Sequence, residues 1–284
     1  MFRSVRDEII KILGQKKNYV VMVGHLLLLG LCYLGFKTTN LHFFQDDVTS
    51  SSGLQIKDIM AYIDGLFFAR AAIVPTYFIL FPIFIATLAG DIVAGEVQEG
   101  TLKLYASRDR SRTHILLAKL LAVFVMAVAY SFYFAILNVV VGVIFFGINP
   151  VQLVFLRHFG LDTDLVLMTP WQSLGCYFVS VCYYAVSIMA LGTVTVFFST
   201  LFDRMTAATV AGITVYFVCY IVGSMPFAKE IQPYLISTAM NGVFVFWMER
   251  LPVGRLIDNL CLLGLYISCF TAFALVHFNY KDIK

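Results

Sequence analysis

The sequence is short of charge. Only 13% of its 284 residues are Asp, Glu, Lys or Arg, about half the share typical of a soluble domain, whereas 60% are apolar. So few charged side chains cannot cover the surface of a water-soluble protein of this size. The composition therefore excludes a soluble enzyme, a disordered chain and a secreted disulfide-bonded scaffold.

Several sequence motifs of nucleotide-binding, metal-binding and catalytic sites are also absent. The chain has no G-x-x-x-x-G-K-[ST] phosphate-binding loop, no H-E-x-x-H zinc motif and no G-x-S-x-G nucleophile elbow. Its six cysteines lie in apolar runs without a C-x-x-C pair, so we expect them to pack between helices. We therefore predict that this chain has no catalytic residue and no metal site, and that it binds no cofactor itself.

Long apolar runs without charge are plentiful. A helix that crosses a membrane needs about 20 mostly apolar residues. Six runs predict such helices, at 19–36, 71–90, 115–147, 170–200, 205–224 and 259–277. A seventh segment, 229–250, is more polar and contains proline, which predicts a re-entrant or interfacial hairpin. The expected fold is a single all-α transmembrane domain over 1–284 with six spans.

The flanks of these runs predict an orientation. Residues 1–18 place apolar side chains at helical spacing with basic side chains between them, the pattern of a helix on a membrane surface with its basic face toward anionic lipid. Twelve Lys and Arg residues lie on the side of the N-terminus and seven on the other side. Both termini are therefore predicted to be cytoplasmic, with 229–250 on the opposite side.

The third run is unusually long. Residues 115–147 would form a helix of roughly 50 Å, whereas the apolar core of a bilayer is about 30 Å thick. We expect this helix to tilt or to project into the cytoplasm, with Lys119 reaching the inner surface. Within the spans, His25 is either a packing residue or part of a pathway, and Asn138 is expected to hydrogen-bond across helices. No buried acid–base network is predicted.

The polar segment 91–112 joins the second and third spans. Glu96 and Glu99 lie three residues apart and so on one helical face. Gly100 can supply a tight turn because glycine tolerates positive φ, and Thr101 can cap the next helical piece. A basic run that ends at Arg112 follows.

This segment resembles the loop after the second span in type-2 ABC transporter permeases, the membrane subunits of many ATP-driven exporters. The matching positions are Glu96, Gly100, Thr101, Leu102, Ser107, Arg112 and Lys119. Asp91 fits an acidic residue just before that loop, and 278–283 resembles the closing sequence of the family. Val97 and Arg108 depart from the family pattern.

The resemblance implies that the segment contains a coupling helix, which sits in a groove of a separate ATPase subunit. The residues expected at this contact are Asp91, Glu96, Glu99, Gly100, Thr101, Leu102, Lys103, Arg108 and Arg112. The acidic and basic side chains among them are expected to form surface ion pairs. ATP and Mg²⁺ would bind to the partner ATPase, and a second permease copy or a sister permease would complete a dimeric pathway in the plasma membrane of a bacterium.

The fifth run begins with small residues four apart, which allow close helix approach. They are Ala207, Ala208, Ala211 and Gly212. The resemblance places this span near the dimer axis and the pathway. Packing within one subunit is the alternative.

The function expected from the resemblance is a permease subunit, acting as an exporter by alternating access. One alternative is an ATP-independent secondary carrier or channel, which a buried acid–base network would favour. Another is a membrane transmitter that has the same fold but transports nothing. The 27 Phe and 15 Tyr are spread through all spans and identify no substrate.

Overall fold

Helices make up most of the described chain. The computed structural model describes residues 1–38, 64–102, 111–155, 165–248 and 251–281. These residues contain six helices that are long and apolar enough to cross a membrane, by length and composition. The prediction of a mostly helical membrane protein is confirmed at this level.

The helices are numbered in chain order. They are α1 (Phe2–Leu13), α2 (Lys16–Thr38), α3 (Gly65–Pro75), α4 (Phe81–Gln98), α5 (Arg112–Phe146), α6 (Pro170–Leu201), α7 (Met205–Ser224), α8 (Ile236–Met240) and α9 (Val253–Tyr280). A π-helical segment, Thr76–Leu80, joins α3 to α4, so that Gly65–Gln98 is one long helix. The predicted span 71–90 is extended at both ends. Residues 91–98 belong to this helix and not to a separate loop.

Side chains cap three of the long helices. Asp64 and Ser111 accept hydrogen bonds from backbone N–H groups in the first turns of α3 and α5, at 3.0 and 3.3 Å. Thr169 and Gln172 form a capping box at the start of α6. These contacts satisfy N–H groups that have no partner within the helix. They fix where each helix begins more sharply than the apolar runs do.

Helix α6 is the central element of the bundle. In its most apolar 18-residue window, 78% of the residues are buried, compared with 11% in α2 and in α9. Helices α4, α5, α7 and α9 all pack against α6, and α3 packs mainly against α5. Because most of α2 and α9 is exposed and apolar, these helices suit contact with lipid.

The expectation of a purely α-helical chain is wrong in one place. Strands β1 (Gln152–Phe155) and β2 (Leu165–Met168) form an antiparallel pair. Gln152 and Val154 are buried on one face of β1, as alternation along a strand requires. Strands of four residues leave too little periodic pattern to be recognised beside a long apolar helix.

The chain between α7 and α9 is broken into short pieces. Two 3₁₀ turns, Pro226–Ala228 and Gln232–Tyr234, precede α8, and a 3₁₀ helix, Asn241–Trp247, follows it. The hydroxyl of Tyr183 on α6 donates a hydrogen bond to the carbonyl oxygen of Ala239 at 2.5 Å. Irregular backbone needs such protein partners at membrane depth. The position of this segment relative to a membrane stays a prediction.

The C-terminal residues of α9 meet the start of α5 and the α6–α7 turn. Lys281 Nζ lies 2.8 Å from Asp203 Oδ1 and donates to the carbonyl oxygen of Thr200 at 2.8 Å. Arg112 donates to the carbonyl oxygen of Lys281 at 2.7 Å. Helix α1 contacts the same region, so we call it the α1 end of the bundle. Asp64 lies at the opposite end.

Candidate functional site

Four charged side chains meet at the α1 end, where α1 crosses α4 and α5. Lys119 of α5 is fully buried, with Nζ 3.1 Å from Glu8 Oε1 and 2.7 Å from Glu96 Oε1. Lys11 of α1 also forms an ion pair with Glu96. We call Glu8, Lys11, Glu96 and Lys119 the ion-pair cluster. Two carboxylates and two ammonium groups balance its charge, as burial of ionised groups requires.

The helices bring these side chains together by simple spacing. Ser4, Glu8 and Ile12 lie four residues apart, so they share the face of α1 that is buried against the bundle. Glu96 comes from the last turns of α4, and Lys119 from the second turn of α5. The cluster therefore joins three helices through side chains that belong to separate parts of the sequence.

A second contact ties the α1–α2 junction to α4. Asp91 Oδ2 accepts a hydrogen bond from Gln15 at 2.9 Å and forms an ion pair with Lys17. Gly95 leaves the room for this carboxylate, since a Cβ there would lie 2.0 Å from Asp91 Oδ1. The α4 helix is thus held by α1 and by the start of α2.

A small cavity lies between α1 and α4, beside the ion-pair cluster. Its volume is about 30 Å³, and Gln15, Asp91 and Glu99 are among its lining residues. A space of this size holds one or two water molecules. Among the described residues, no group of three or more His, Cys, Asp and Glu side chains could hold a metal ion. The geometry indicates a structural junction.

Helix α4 ends in a glycine turn. Gly100 has φ of +70°, its N–H donates to the carbonyl oxygen of Val97 at 3.1 Å, and Thr101 N–H donates to that of Glu96 at 3.0 Å. These two bonds and the left-handed glycine are the pattern of a Schellman motif. The turn expected at Gly100 is confirmed. Glu99 and Gly100 are exposed in this turn, and we call them the tip of α4. Leu102 is buried.

The residues expected at an ATPase contact separate into two groups. Glu99 and Gly100 are exposed, whereas Asp91, Glu96 and Leu102 point into the bundle or its junction with α1. The expectation that Glu96 forms surface ion pairs is wrong, because its partners on α1 and α5 bury it.

The remaining residues of that set are Thr101, Arg112, Lys103 and Arg108. Thr101 is half-buried, and Arg112 donates to the carbonyl oxygens of Asn279 and Lys281 at 3.1 and 2.7 Å. Lys103 and Arg108 lie outside the described residues. Arg112 therefore clamps the end of α9 onto α5.

Two other expectations about charge are corrected. Lys119 does not reach the surface, because it is fully buried between Glu8 and Glu96. The chain also contains a buried acid–base network, which the sequence did not predict. A signal was present in α1, where the acidic Glu8 shares a face with Ser4 and Ile12 and so points away from lipid.

The small residues of α7 include two that are packed within this subunit. Ala208 and Gly212 are buried, and a Cβ at Gly212 would lie 2.2 Å from Thr195 Oγ1 of α6. Ala207 and Ala211 are half-buried. The packing alternative therefore accounts for Ala208 and Gly212, and Gly212 lets α7 approach the central helix closely.

His25 and Asn138 form a buried contact between α2 and α5. Their Nε2 and Oδ1 atoms are 3.0 Å apart, and both side chains are fully buried. The cross-helix hydrogen bond expected of Asn138 is present. The ring of Phe134 packs on His25 with centroids 4.5 Å apart. This geometry corresponds to the packing interpretation of His25.

The fold and this junction define a helical membrane protein whose first helix is bound by ion pairs to two long helices. A family model described as "Protein of unknown function (DUF2705)" matches residues 43–283. The chain belongs to this family. No curated protein matches it.

Proposed function

We propose that the chain is the membrane-spanning permease subunit of an ATP-binding cassette transporter that works as an exporter. The observation that carries this proposal is the continuity of Gly65–Gln98, which runs from the bundle core into the exposed turn at Gly100. A partner docked on that turn would act directly on α4, because hydrogen bonds join the turn to the last residues of this helix. The sequence there resembles the coupling loop of type-2 ABC permeases.

The ion-pair cluster connects the end of α4 to α1 and α5. Glu96 lies one helical turn from Glu99 and contacts Lys119 of α5 and Lys11 of α1. Moving Glu96 away from both lysines would leave its buried carboxylate without a counterion, which is strongly unfavourable. Displacement of the end of α4 would therefore also pull on α1 and α5. In a dimer of such subunits, that movement would change which side of the membrane the pathway faces.

The proposal places the other functions on partners. A separate ATPase subunit would bind ATP and Mg²⁺, and a second permease copy or a sister permease would complete the pathway. The α1 end would face the cytoplasm of a bacterium, in agreement with the excess of Lys and Arg on that side of the spans.

The test is recovery of an ATPase with the tagged, gently solubilised chain. Glu99→Arg reverses the charge of an exposed side chain at the tip, whereas Glu230→Arg makes the same change in the exposed segment after α7. We expect an ATPase with a phosphate-binding loop to co-purify with the wild type and with Glu230→Arg, and to be reduced or lost with Glu99→Arg. A wild-type oligomer that brings no ATPase would overturn the proposal. Equal recovery of the ATPase with both variants would show that the ATPase does not bind at the tip.

The buried cluster favours a second candidate, an ATP-independent ion-coupled carrier. Such carriers use buried ionisable groups to bind and release protons or ions. The cluster lies at one end of the bundle, however, and the core beyond it holds aromatic rings, including Phe81, Phe134 and Tyr184. A carrier would produce proton flux in vesicles that contain the purified chain alone, and Glu96→Gln would abolish that flux. A transmitter that transports nothing would give no flux with or without the ATPase.

A further inference from the structure

The long helix Gly65–Gln98 is interrupted at its middle by two prolines and a π-helical segment. Pro75 ends α3, Thr76–Leu80 follows with π-helical hydrogen bonding, and Pro82 lies in the first turn of α4. The N–H of Phe81 donates to the carbonyl oxygen of Thr76, five residues before it. A π-helical turn within an α-helix is uncommon, and where one occurs it often lies at a functional site.

Pro82 leaves two carbonyl groups short of donors. In this segment, the carbonyl of Phe78 would normally accept from residue 82, which is a proline without an N–H. The carbonyl of Tyr77 also lacks a donor. The N–H of Phe81 is used by Thr76, and the next residue, Pro82, has no N–H. Buried carbonyl groups without partners are unfavourable, so other donors are required.

Tyrosine hydroxyls from two other helices supply those donors. Tyr216 of α7 donates to the carbonyl oxygen of Phe78 at 3.0 Å, and Tyr184 of α6 donates to that of Tyr77. The ring of Tyr184 also stacks on the ring of Tyr77, with centroids 4.3 Å apart. All three tyrosine side chains are buried. We call Tyr184 and Tyr216 the tyrosine clasp.

The two halves of the long helix have different packing partners. Helix α3 packs mainly on α5, and Gly65 approaches Gly142 so closely that a Cβ at Gly65 would lie 2.5 Å from the backbone of α5. Helix α4 packs mainly on α6 and α7. The π-helical segment is therefore the point where one continuous helix passes from one packing group to another.

We propose that Thr76–Leu80 is a hinge between α3 and α4, and that the hydroxyls of Tyr184 and Tyr216 hold it at one angle by bonding the carbonyl groups that Pro82 leaves free. Movement at the hinge exchanges these two bonds for others while both halves stay helical. A 20° change at the hinge would move the far end of α4 by roughly 9 Å, because 18 residues span about 27 Å. The hinge does not depend on which partner acts at the Gly100 turn.

Spin-label distances test the hinge in the full chain, in a background without the six native cysteines. One label pair, at Glu99 and Thr113, joins the exposed ends of α4 and α5. A reference pair, at the exposed residues Val74 and Ile136, joins α3 to α5 and does not cross the hinge. Tyr184→Phe with Tyr216→Phe removes both hydroxyls and keeps both rings. If this variant is not recovered folded, Tyr216→Phe alone is used.

We expect the variant to broaden or shift the Glu99–Thr113 distances by a few ångströms and to leave the reference pair unchanged. The change stays below the roughly 9 Å of a free 20° movement, because the ion pair of Lys119 with Glu96 holds the end of α4 near α5. Tyr177→Phe is the matched control, since Tyr177 donates to the carbonyl oxygen of Ala135 inside the regular helix α5. No change at the hinge pair would overturn the proposal. So would equal changes at both pairs, or the same change in the Tyr177 control.

A second variant tests the role of the proline. Pro82→Ala restores one N–H to the segment, so the helix can then satisfy one of the two carbonyl groups itself. In this background, removing the two tyrosine hydroxyls should change the Glu99–Thr113 distances less than in the wild type. An undiminished effect would show that the hydroxyls act for some other reason and would refute the clasp.

Discussion

Lys119 and Glu96 belong to different helices, yet Lys119 Nζ lies 2.7 Å from Glu96 Oε1, and neither side chain is appreciably exposed. Glu8 of α1 contacts the same ammonium group at 3.1 Å. A buried ion pair adds little net stability, because the cost of removing both charges from water offsets their attraction. It makes an arrangement specific, since any rearrangement that separates the charges is unfavourable. The position of α1 is thus tied to α4 and α5.

Removing one member of the cluster should be more harmful than removing a balanced pair. Lys119→Met leaves Glu8 and Glu96 buried with fewer cations, and we expect it to lower the free energy of unfolding by about 3–5 kcal/mol. Lys119→Met combined with Glu8→Gln keeps one ion pair, Lys11 with Glu96, and should recover much of that loss. Reversible unfolding in detergent micelles would measure both values.

The control for this prediction is Lys229→Met, which removes an exposed ammonium group from the segment after α7. It should change the free energy of unfolding by less than about 0.5 kcal/mol, as surface substitutions usually do. A double variant that is as unstable as the sum of its two single variants would contradict the charge-balance argument.

The turn after α4 should depend on glycine at one position. Gly100 has φ of +70°, where an alanine side chain is strained by about 1–2 kcal/mol. We therefore expect Gly100→Ala to lower the free energy of unfolding by that amount. Gly14, the residue after α1, has φ of −70° and no atom closer than 3.5 Å to a Cβ. Gly14→Ala should be neutral or stabilising, by up to about 1 kcal/mol. Equal losses in the two variants would exclude the left-handed turn as the cause.

Apolar runs and glycine chemistry predicted the helical framework and the turn at Gly100, because both depend on local sequence. The ion-pair cluster was missed because Lys119 was taken to reach toward water at the start of a long helix. Its burial depends on Glu8, more than 100 residues earlier in the sequence. Only the crossing of α1 over α4 and α5 brings these residues together, and no local pattern specifies that crossing.

The tyrosine clasp was unpredictable for a similar reason. Pro82 signals that a backbone donor is missing, but the sequence does not say which side chain replaces it. The chain has 15 tyrosines, most of them in its long helices. Tyr184 and Tyr216 are selected by the packing of α6 and α7 around the π-helical segment, which is a property of the assembled bundle.

Close packing of α7 on α6 should require a small residue at Gly212. A larger side chain there would meet Thr195, so we expect Gly212→Leu to lower the free energy of unfolding by about 1–3 kcal/mol through overpacking. At Gly30 of α2, a Cβ would have no neighbouring atom within 4 Å, so Gly30→Leu is the matched control and should be tolerated. If Gly212→Leu instead leaves the stability unchanged and alters only the oligomeric state, the contact with α6 is not the important one.

The contact between Asp203 and Lys281 predicts a dependence on pH. The Lys281 ammonium, hydrogen-bonded to Asp203, holds the pKa of this carboxyl below its ordinary value of 3.8. Because the pKa in the folded protein is lowered, the stabilisation is present above the ordinary pKa and is lost as the pH falls through the lowered one. Lys281→Met should therefore raise the pKa of Asp203 toward 3.8. Carboxyl NMR of ¹³C-labelled aspartate would measure it, with Asp203→Asn to assign the signal. Lys229→Met should leave the pKa of Asp203 unaltered, and an unaltered pKa in Lys281→Met would show that the α9 end does not pair with the α6–α7 turn.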